Sequence, residues 1–310
     1  MILSMEETLI TIYVEVDDWY RDGGASQIPL RPGPKPSFTD PEVLTTGSSP
    51  VPALALAREV LARRSERAFW REVATDWHHL FPDLPHRSEL HRRTRWLWGA
   101  LEQLRDYFAC RFGPPVEGWE QLDTTPLPVK HPSRVRGPDW WVGPPGSNLA
   151  AGFGLCAAKG KHAWFYGFRL GLRTGLLDQV PRVWSIVPAA VDEREVGEDL
   201  VSEVPVAHLL ADRGFRSRRW EEVLQERGTT LLTTPDREQR RVWPEDLRRL
   251  VANHRNRIES GIGLLKDRFN LERHGAKSFW GLLTRTAAKL AAYTLYRFWR
   301  LSNPAMQIAA

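Results

Sequence analysis

Apolar and acidic positions recur at helical spacing over residues 6–20, which predicts a first helix there. The run Arg31-Pro-Gly-Pro-Lys-Pro-Ser37 reads as a stiff linker. Helical patterning returns at Asp40–Thr45 and Ala53–Ala62. Between them Thr46-Gly-Ser-Ser-Pro-Val-Pro52 interrupts it, since no helix would continue through that segment. Ser65 can cap a helix that reaches Trp77, with Phe69, Val73 and Trp77 as its apolar set. The next helix starts near Ser88 and carries Arg92, Arg93 and Arg95. The pattern stays helical to about Arg111, where Gly113-Pro114-Pro115 breaks the chain. Residues 1–113 are therefore expected to form an all-α N-terminal domain.

Beyond the break the periodicity shortens. Trp119–Val129, Gly152–Ala158, Trp164–Arg173 and Val183–Val187 read as strands, with a Pro/Gly-rich loop over 132–148. Asp192-Glu-Arg-Glu195 is a capping-box pattern opening a helix to about Val201. A short strand at Ala207–Ala211, a helix at Arg218–Arg227 and a strand at Thr229–Thr233 follow. Two longer helices, 244–270 and 279–300, end the chain. Strands in meander followed by strand–helix alternation predict an α/β domain over 116–310, a mixed sheet flanked by helices.

Composition adds two exclusions. With 42% hydrophobic and 26% charged residues the 310-residue chain is not wholly disordered. No apolar stretch approaches the ~20 residues of a membrane span. Two cysteines, Cys110 and Cys156, cannot build a disulfide scaffold; they suit a reducing cytoplasm and read as small buried fillers. Net charge is +5, unevenly spread: residues 237–300 hold 15 Lys and Arg against 6 Asp and Glu. That surplus suggests an anionic partner, nucleic acid first, although a solvated basic helix pair would look the same.

Three acids stand out. Asp123 lies inside the first strand, between Leu122 and Leu127, where a charge needs a partner or a cation. Asp212 follows the apolar His208-Leu-Leu-Ala211, at the carboxyl end of a core strand, where open α/β sheets bind ligands. Glu259 is on the long helix, with Arg255 about 40° and Lys266 about 20° to one side of it, beside the stripe Ile258, Ile262, Leu265 and Phe269. Taken singly, each has a plain reading: a turn cap, a turn residue, an ion pair with Arg255. Converging carboxylates repel unless a divalent metal neutralises them, and hard oxygen donors favour Mg²⁺ or Mn²⁺. Such a pair of ions would activate one oxygen and stabilise another at a phosphodiester, with Arg255 and Lys266 on flanking phosphates.

The order of these stretches is similar to that of the DDE transposases of bacterial insertion sequences. The likeness rests on Asp123-Thr-Thr-Pro-Leu-Pro128, Trp164-Phe-Tyr-Gly-Phe-Arg-Leu170, Ala211-Asp-Arg-Gly-Phe215, the Arg-x3-Glu-x6-Lys spacing at 255, 259 and 266, and Leu271-Glu-Arg-His-Gly-Ala276. It runs from about residue 38 to 300. The resemblance implies a ribonuclease H-like catalytic domain, Asp123, Asp212 and Glu259 as the metal-binding triad, and cleavage at transposon ends followed by strand transfer to target DNA. It also implies double-stranded DNA as partner, a homodimer on DNA and a cytoplasmic setting. A nuclease of the same fold, or a catalytically decayed DNA-binding remnant, are the alternatives. Ala252 stands where the signature often has Tyr, Gly171 where it has His, and Gly261 and Gly263 follow Glu259 where bulkier residues are usual.

Other cations invite DNA. Arg92 and Arg93 lie in a possible helix-turn-helix. Arg285, Lys289, Arg297 and Arg300 share one side of the last helix. Both groups read equally as solvated faces. Trp140-Trp141 could stack on an unpaired base, with core packing the plainer reading.

Overall fold

A computed structural model describes residues 2–24, 26, 28, 50–82, 84–115, 118–137, 141–158, 161–235, 242–304 and 307–308. The expected linker at 31–37, the helix at 40–45, the first part of the 46–52 break and Trp140 lie outside them. The helices are α1 (Met5–Trp19), α2 (Pro50–Val60), α3 (Glu66–Asp76), α4 (Arg87–Trp96), α5 (Trp98–Cys110), α6 (Glu193–Glu203), α7 (Arg218–Glu226), α8 (Glu245–Asp267) and α9 (Phe279–Ser302). The main sheet has β1 (Trp119–Lys130), β2 (Gly152–Ala158), β3 (Lys161–Gly175), β4 (Pro181–Pro188), β5 (His208–Ala211) and β6 (Thr230–Thr233). Ile2–Leu3 and Gln307–Ile308 form a separate short parallel pair.

Two compact units result. One holds residues 1–111, 268–275 and 280–310; the other holds 112–267 and 276–279. The division at 111/112 lies just before the Gly113-Pro114-Pro115 run. The last helix, expected in the α/β domain, groups instead with the N-terminal helices. Its physical reason is burial: every residue from Thr286 to Leu295 is buried, so that stretch needs neighbours on all sides.

In that helical unit Ser4 opens α1 with a full capping box: its N–H donates to Glu7 Oε2 at 2.7 Å and its Oγ accepts from the Glu7 N–H at 3.2 Å. Ser65 caps α3 as expected, accepting from the Ala68 N–H at 3.2 Å. The helix α2 starts at Pro50, so both prolines of the expected break fall in its first turn, where a missing N–H breaks no helical bond. Cys110 is exposed and Cys156 partly buried, neither bonded to another cysteine, so the buried-filler expectation fails for Cys110. Among the described residues no helix is long and apolar enough to cross a membrane.

In the second unit the strand order is β2-β3-β1-β5-β6, with β4 also paired to β3. β1 and β3 are antiparallel, as are β2 and β4 with β3; β5 runs parallel to β1 and to β6. This mixed sheet flanked by helices is the ribonuclease H-like arrangement. Side-chain alternation gives its faces separate roles. Leu122 packs with Val196, Leu200, Trp220 and Leu224 from α6 and α7. Leu210 packs with Val251 of α8 on the other face.

Gly171 has a packing reason. A Cβ there would lie 2.3 Å from Val196 Cγ1, so α6 rests directly on β3 and no side chain, His included, fits between them. Gly261 and Gly263 sit inside the continuous α8, so they do not break the helix.

Candidate functional site

The site begins with register. β1 and β5 are parallel with Leu122 opposite Ala211 as their last paired residues. The next residue on each strand is an acid, Asp123 on β1 and Asp212 just past β5. Adjacent strands lie about 4.8 Å apart, so this register sets the two acids side by side. From α8, Glu259 joins them. Asp123, Asp212 and Glu259 line one pocket of about 40 Å³, together with Gln121, Leu122, Leu210, Ala211, Thr234 and Ile258. That volume is on the scale of two or three water molecules or small ions.

Local bonds aim the two aspartates. Asp123 Oδ1 accepts the N–H of Thr124 at 2.7 Å. Asp212 Oδ1 accepts the N–H of Arg213 at 2.7 Å and the hydroxyl of Thr234, just past β6, at 3.2 Å. Asp212 and Glu259 are exposed, whereas Asp123 is half-buried. Burial pushes the Asp123 carboxyl up to about 7; the Thr124 N–H works against this, and the negative charges of Glu193, Asp212 and Glu259 add to it. Excess negative charge in a partly desolvated pocket of carboxylates is the donor chemistry of a hard divalent cation. Among the described residues no three His, Cys, Asp or Glu side chains close into a coordination shell. The residues fit such an ion by donor type and charge, and binding one would require the side chains to draw inward.

Glu193 is the acid that sequence reasoning missed. It is the first residue of α6, behind the N-cap Asp192, which accepts from the Arg194 N–H at 2.9 Å. Its Oε1 accepts the Thr124 hydroxyl at 2.9 Å and is ion-paired with Arg169. Arg169 also donates to Thr124 Oγ1 at 3.2 Å and to the Leu155 carbonyl at 3.3 Å. Arg194 Nε donates to the Gly214 carbonyl at 3.2 Å. The start of α6 thus braces both acid-bearing segments, at Thr124 and at Gly214. The capping motif was visible; strand parity placing Thr124 and Arg169 on the α6 face was the signal that could have found Glu193.

The basic candidates divide. Arg255 and Lys266 both lie on α8, and Lys266 is half-buried. Arg92 is exposed on α4 and pairs with Glu89 at 2.5 Å. Three others are corrected. Arg93 is buried and pairs with Glu89 at 3.1 Å. Lys289 is buried, ion-paired with Glu59, and donates to the Phe269 carbonyl at 2.6 Å. Arg285 is largely buried, donating to the His274 carbonyl at 2.6 Å and to Glu66 at 3.2 Å. Ammonium and guanidinium groups already committed inside a fold do not reach a phosphate. Trp141 is buried near Phe168 with ring centroids 6.5 Å apart, so it belongs to packing.

A family model described as a transposase DDE domain matches residues 122–295, more than half of the 310-residue chain. The matched span includes Asp123, Asp212 and Glu259 together with Arg255 and Lys266. No curated protein and no solved structure matches the chain.

Proposed function

Because the chain belongs to the transposase DDE-domain family, we propose that it cuts DNA at transposon ends and joins those ends to target DNA. The observation that carries this reading is the shared pocket of Asp123, Asp212 and Glu259, with Asp123 raised to about 7 beside the other acids. Mg²⁺ or Mn²⁺ held by these three side chains would neutralise them, activate the attacking oxygen and stabilise the leaving oxygen.

The chain's own part is positioning and electrostatics. Asp123 stands inside β1 and Asp212 just past the end of β5, so the sheet fixes the backbone of both, and their carboxylates would turn inward to meet an ion. Glu259 brings the third carboxylate from a helix that packs on the same face. Arg255 and Lys266 hold phosphates flanking the scissile bond, and Arg92 adds a phosphate contact from the helical unit. In the first step a water oxygen attacks the phosphodiester and a 3′-oxygen leaves, taking up a proton. In the second that 3′-hydroxyl attacks a target phosphodiester, and another 3′-oxygen leaves. The protein works in the cytoplasm as a homodimer on double-stranded DNA.

The test is an oligonucleotide assay with Mg²⁺ and then Mn²⁺. Cleaved ends that are joined to target DNA support the transposase reading. Nicked but never joined product favours a nuclease of the same fold. Salt-sensitive DNA binding without cleavage in either metal would leave a DNA-binding remnant.

A further inference from the structure

The helix that carries Glu259 is fastened to the sheet by two glutamine amides. Gln121, on β1 two residues before Asp123, is fully buried. Its Nε2 donates to the backbone oxygens of Leu176 at 3.3 Å and His254 at 3.1 Å. Gln179, in the turn between β3 and β4, donates from Nε2 to the backbone oxygen of Arg257 at 2.9 Å. His254 and Arg257 are three residues apart, so their carbonyls lie on one side of α8. Both are interior to the helix, where a carbonyl already has its helical partner, so these bonds do not complete a frayed end. They tie the helix backbone itself to the sheet.

Each glutamine carries a sign that something beyond packing holds it. Gln179 has φ +59°, the left-handed region that a non-glycine residue seldom occupies, and from there its amide reaches Arg257. Gln121 Oε1 is buried without a hydrogen-bond partner among the described residues, in a residue that lines the carboxylate pocket. Turning that amide over would set its oxygen against two carbonyl oxygens, so the unpaired acceptor is fixed where it is.

We propose that Gln121 and Gln179 are positioning residues that set the axial and rotational register of α8 on the sheet and so hold Glu259 at the pocket with Asp123 and Asp212. The inference rests on reading those three carboxylates as a metal-binding triad. The apolar contacts of α8, among them Val251 against Leu210 and Leu176 beside the buried Ile258, Ile262 and Leu265, are non-directional. A slip of one residue along the helix changes height by about 1.5 Å and rotates each side chain by about 100°, enough to turn Glu259 away. Two hydrogen bonds to backbone oxygens resist both motions. Gln121 does so from the strand that carries Asp123, which links the two acids through a single short segment.

The experiment uses the full chain with Gln179→Gly and Gln121→Met, and three readouts: thermal unfolding, Mn²⁺ binding by calorimetry without DNA, and cleavage of a transposon-end oligonucleotide. Gln179→Gly removes the left-handed strain together with the hydrogen bond. Its Tm is expected to stay at or above that of the unmodified chain while Mn²⁺ affinity falls about tenfold or more. Gln121→Met keeps the side-chain volume and is expected to lose Mn²⁺ affinity to the same extent, with kcat lowered and KM for DNA unchanged. Unaltered Mn²⁺ binding and cleavage in Gln179→Gly overturn the proposal, and that variant decides the matter should Gln121→Met fail to fold. An unmodified chain that neither binds Mn²⁺ nor cuts DNA overturns the triad reading itself, and this inference with it. One that does both, beside variants that behave identically, overturns the positioning role alone.

Discussion

In the helical unit, Arg58, Glu59, Glu66, Arg285 and Lys289 crowd together, drawn from α2, α3 and α9; in the sheet unit, Asp123, Asp212 and Glu259 share a pocket. The first gathering is mixed in sign, three cations against two carboxylates. Burial pushes the Glu59 carboxyl up, but Arg58 and Lys289 outweigh it and hold it below its usual range. The second gathering has one sign, and its most buried member is driven the other way, to about 7. Glu193 adds a further negative charge near Asp123, although it is itself paired with Arg169. Charges of opposite sign that satisfy one another hold a fold together, whereas a carboxyl raised by burial and by acidic neighbours is the mark of a candidate functional site.

The sharpest way to break this contrast is to delete the acids one at a time. Asp123→Ala, Asp212→Ala and Glu259→Ala should each lower cleavage about 10³-fold or more, the several kcal/mol expected of a lost metal ligand. DNA affinity at fixed salt should barely change. A gel assay of both quantities checks this, and normal cleavage in any variant removes that residue from the triad.

The mixed cluster should answer through stability instead. Lys289→Met takes the ammonium from the buried Glu59 and is expected to cost about 3–5 kcal/mol. Glu59→Leu with Lys289→Met should cost less than the two single changes added together, because neither member of that pair is then buried without the other, while Arg58 keeps Glu66 at 3.3 Å. Urea denaturation of the four proteins measures the coupling. Additive losses would mean that the pair is not coupled.

A third change should stabilise the protein while destroying activity. The carboxyl of Asp123 titrates near 7 in the folded chain against a usual 3.8, so the fold keeps a proton that the unfolded chain has already released. Stability must then fall as pH rises from about 4 through 7 and level off above that. In metal-free protein Asp123→Asn should flatten this fall and raise Tm at pH 8, with little effect at pH 4. Mg²⁺ should recover the loss in the unmodified chain but not in Asp123→Asn. Identical pH profiles in melts with and without the substitution would contradict the raised carboxyl.

The same contrast explains what could be read in the sequence. Asp123 between Leu122 and Leu127, and Asp212 directly after His208-Leu-Leu-Ala211, stand out against their apolar chain neighbours, although each also accepts a local backbone N–H. Glu259 was legible through its spacing to Arg255 and Lys266. The strands and the two long helices followed from periodicity. What stayed hidden depends on partners far along the chain. Lys289 looked like part of a solvent-facing basic stripe because Glu59, 230 positions away, does not show on a helical wheel. Glu193 passed for a simple cap residue, and Gln121 for an ordinary strand residue, because the contacts that matter for both cross to other elements. Gly171 looked like a loss against the family pattern, although α6 leaves no room for more.

The smallest expected effect concerns Arg92, and it tests whether the helical unit touches DNA at all. Its side chain is 63% exposed and its partner Glu89 is shared with the buried Arg93. Exposed pairs of this kind are worth under about 1 kcal/mol, so Arg92 can exchange Glu89 for a phosphate at little cost. Arg92→Ala should therefore leave stability within about 0.5 kcal/mol of the unmodified chain. If Arg92 meets one phosphate, the slope of log K against log salt should become shallower by about 0.9, uniformly across DNA sequences. Fluorescence anisotropy over a salt series reads that slope. An unchanged slope would return Arg92 to the role of a solvated helix face and leave phosphate contacts to the basic residues of α8.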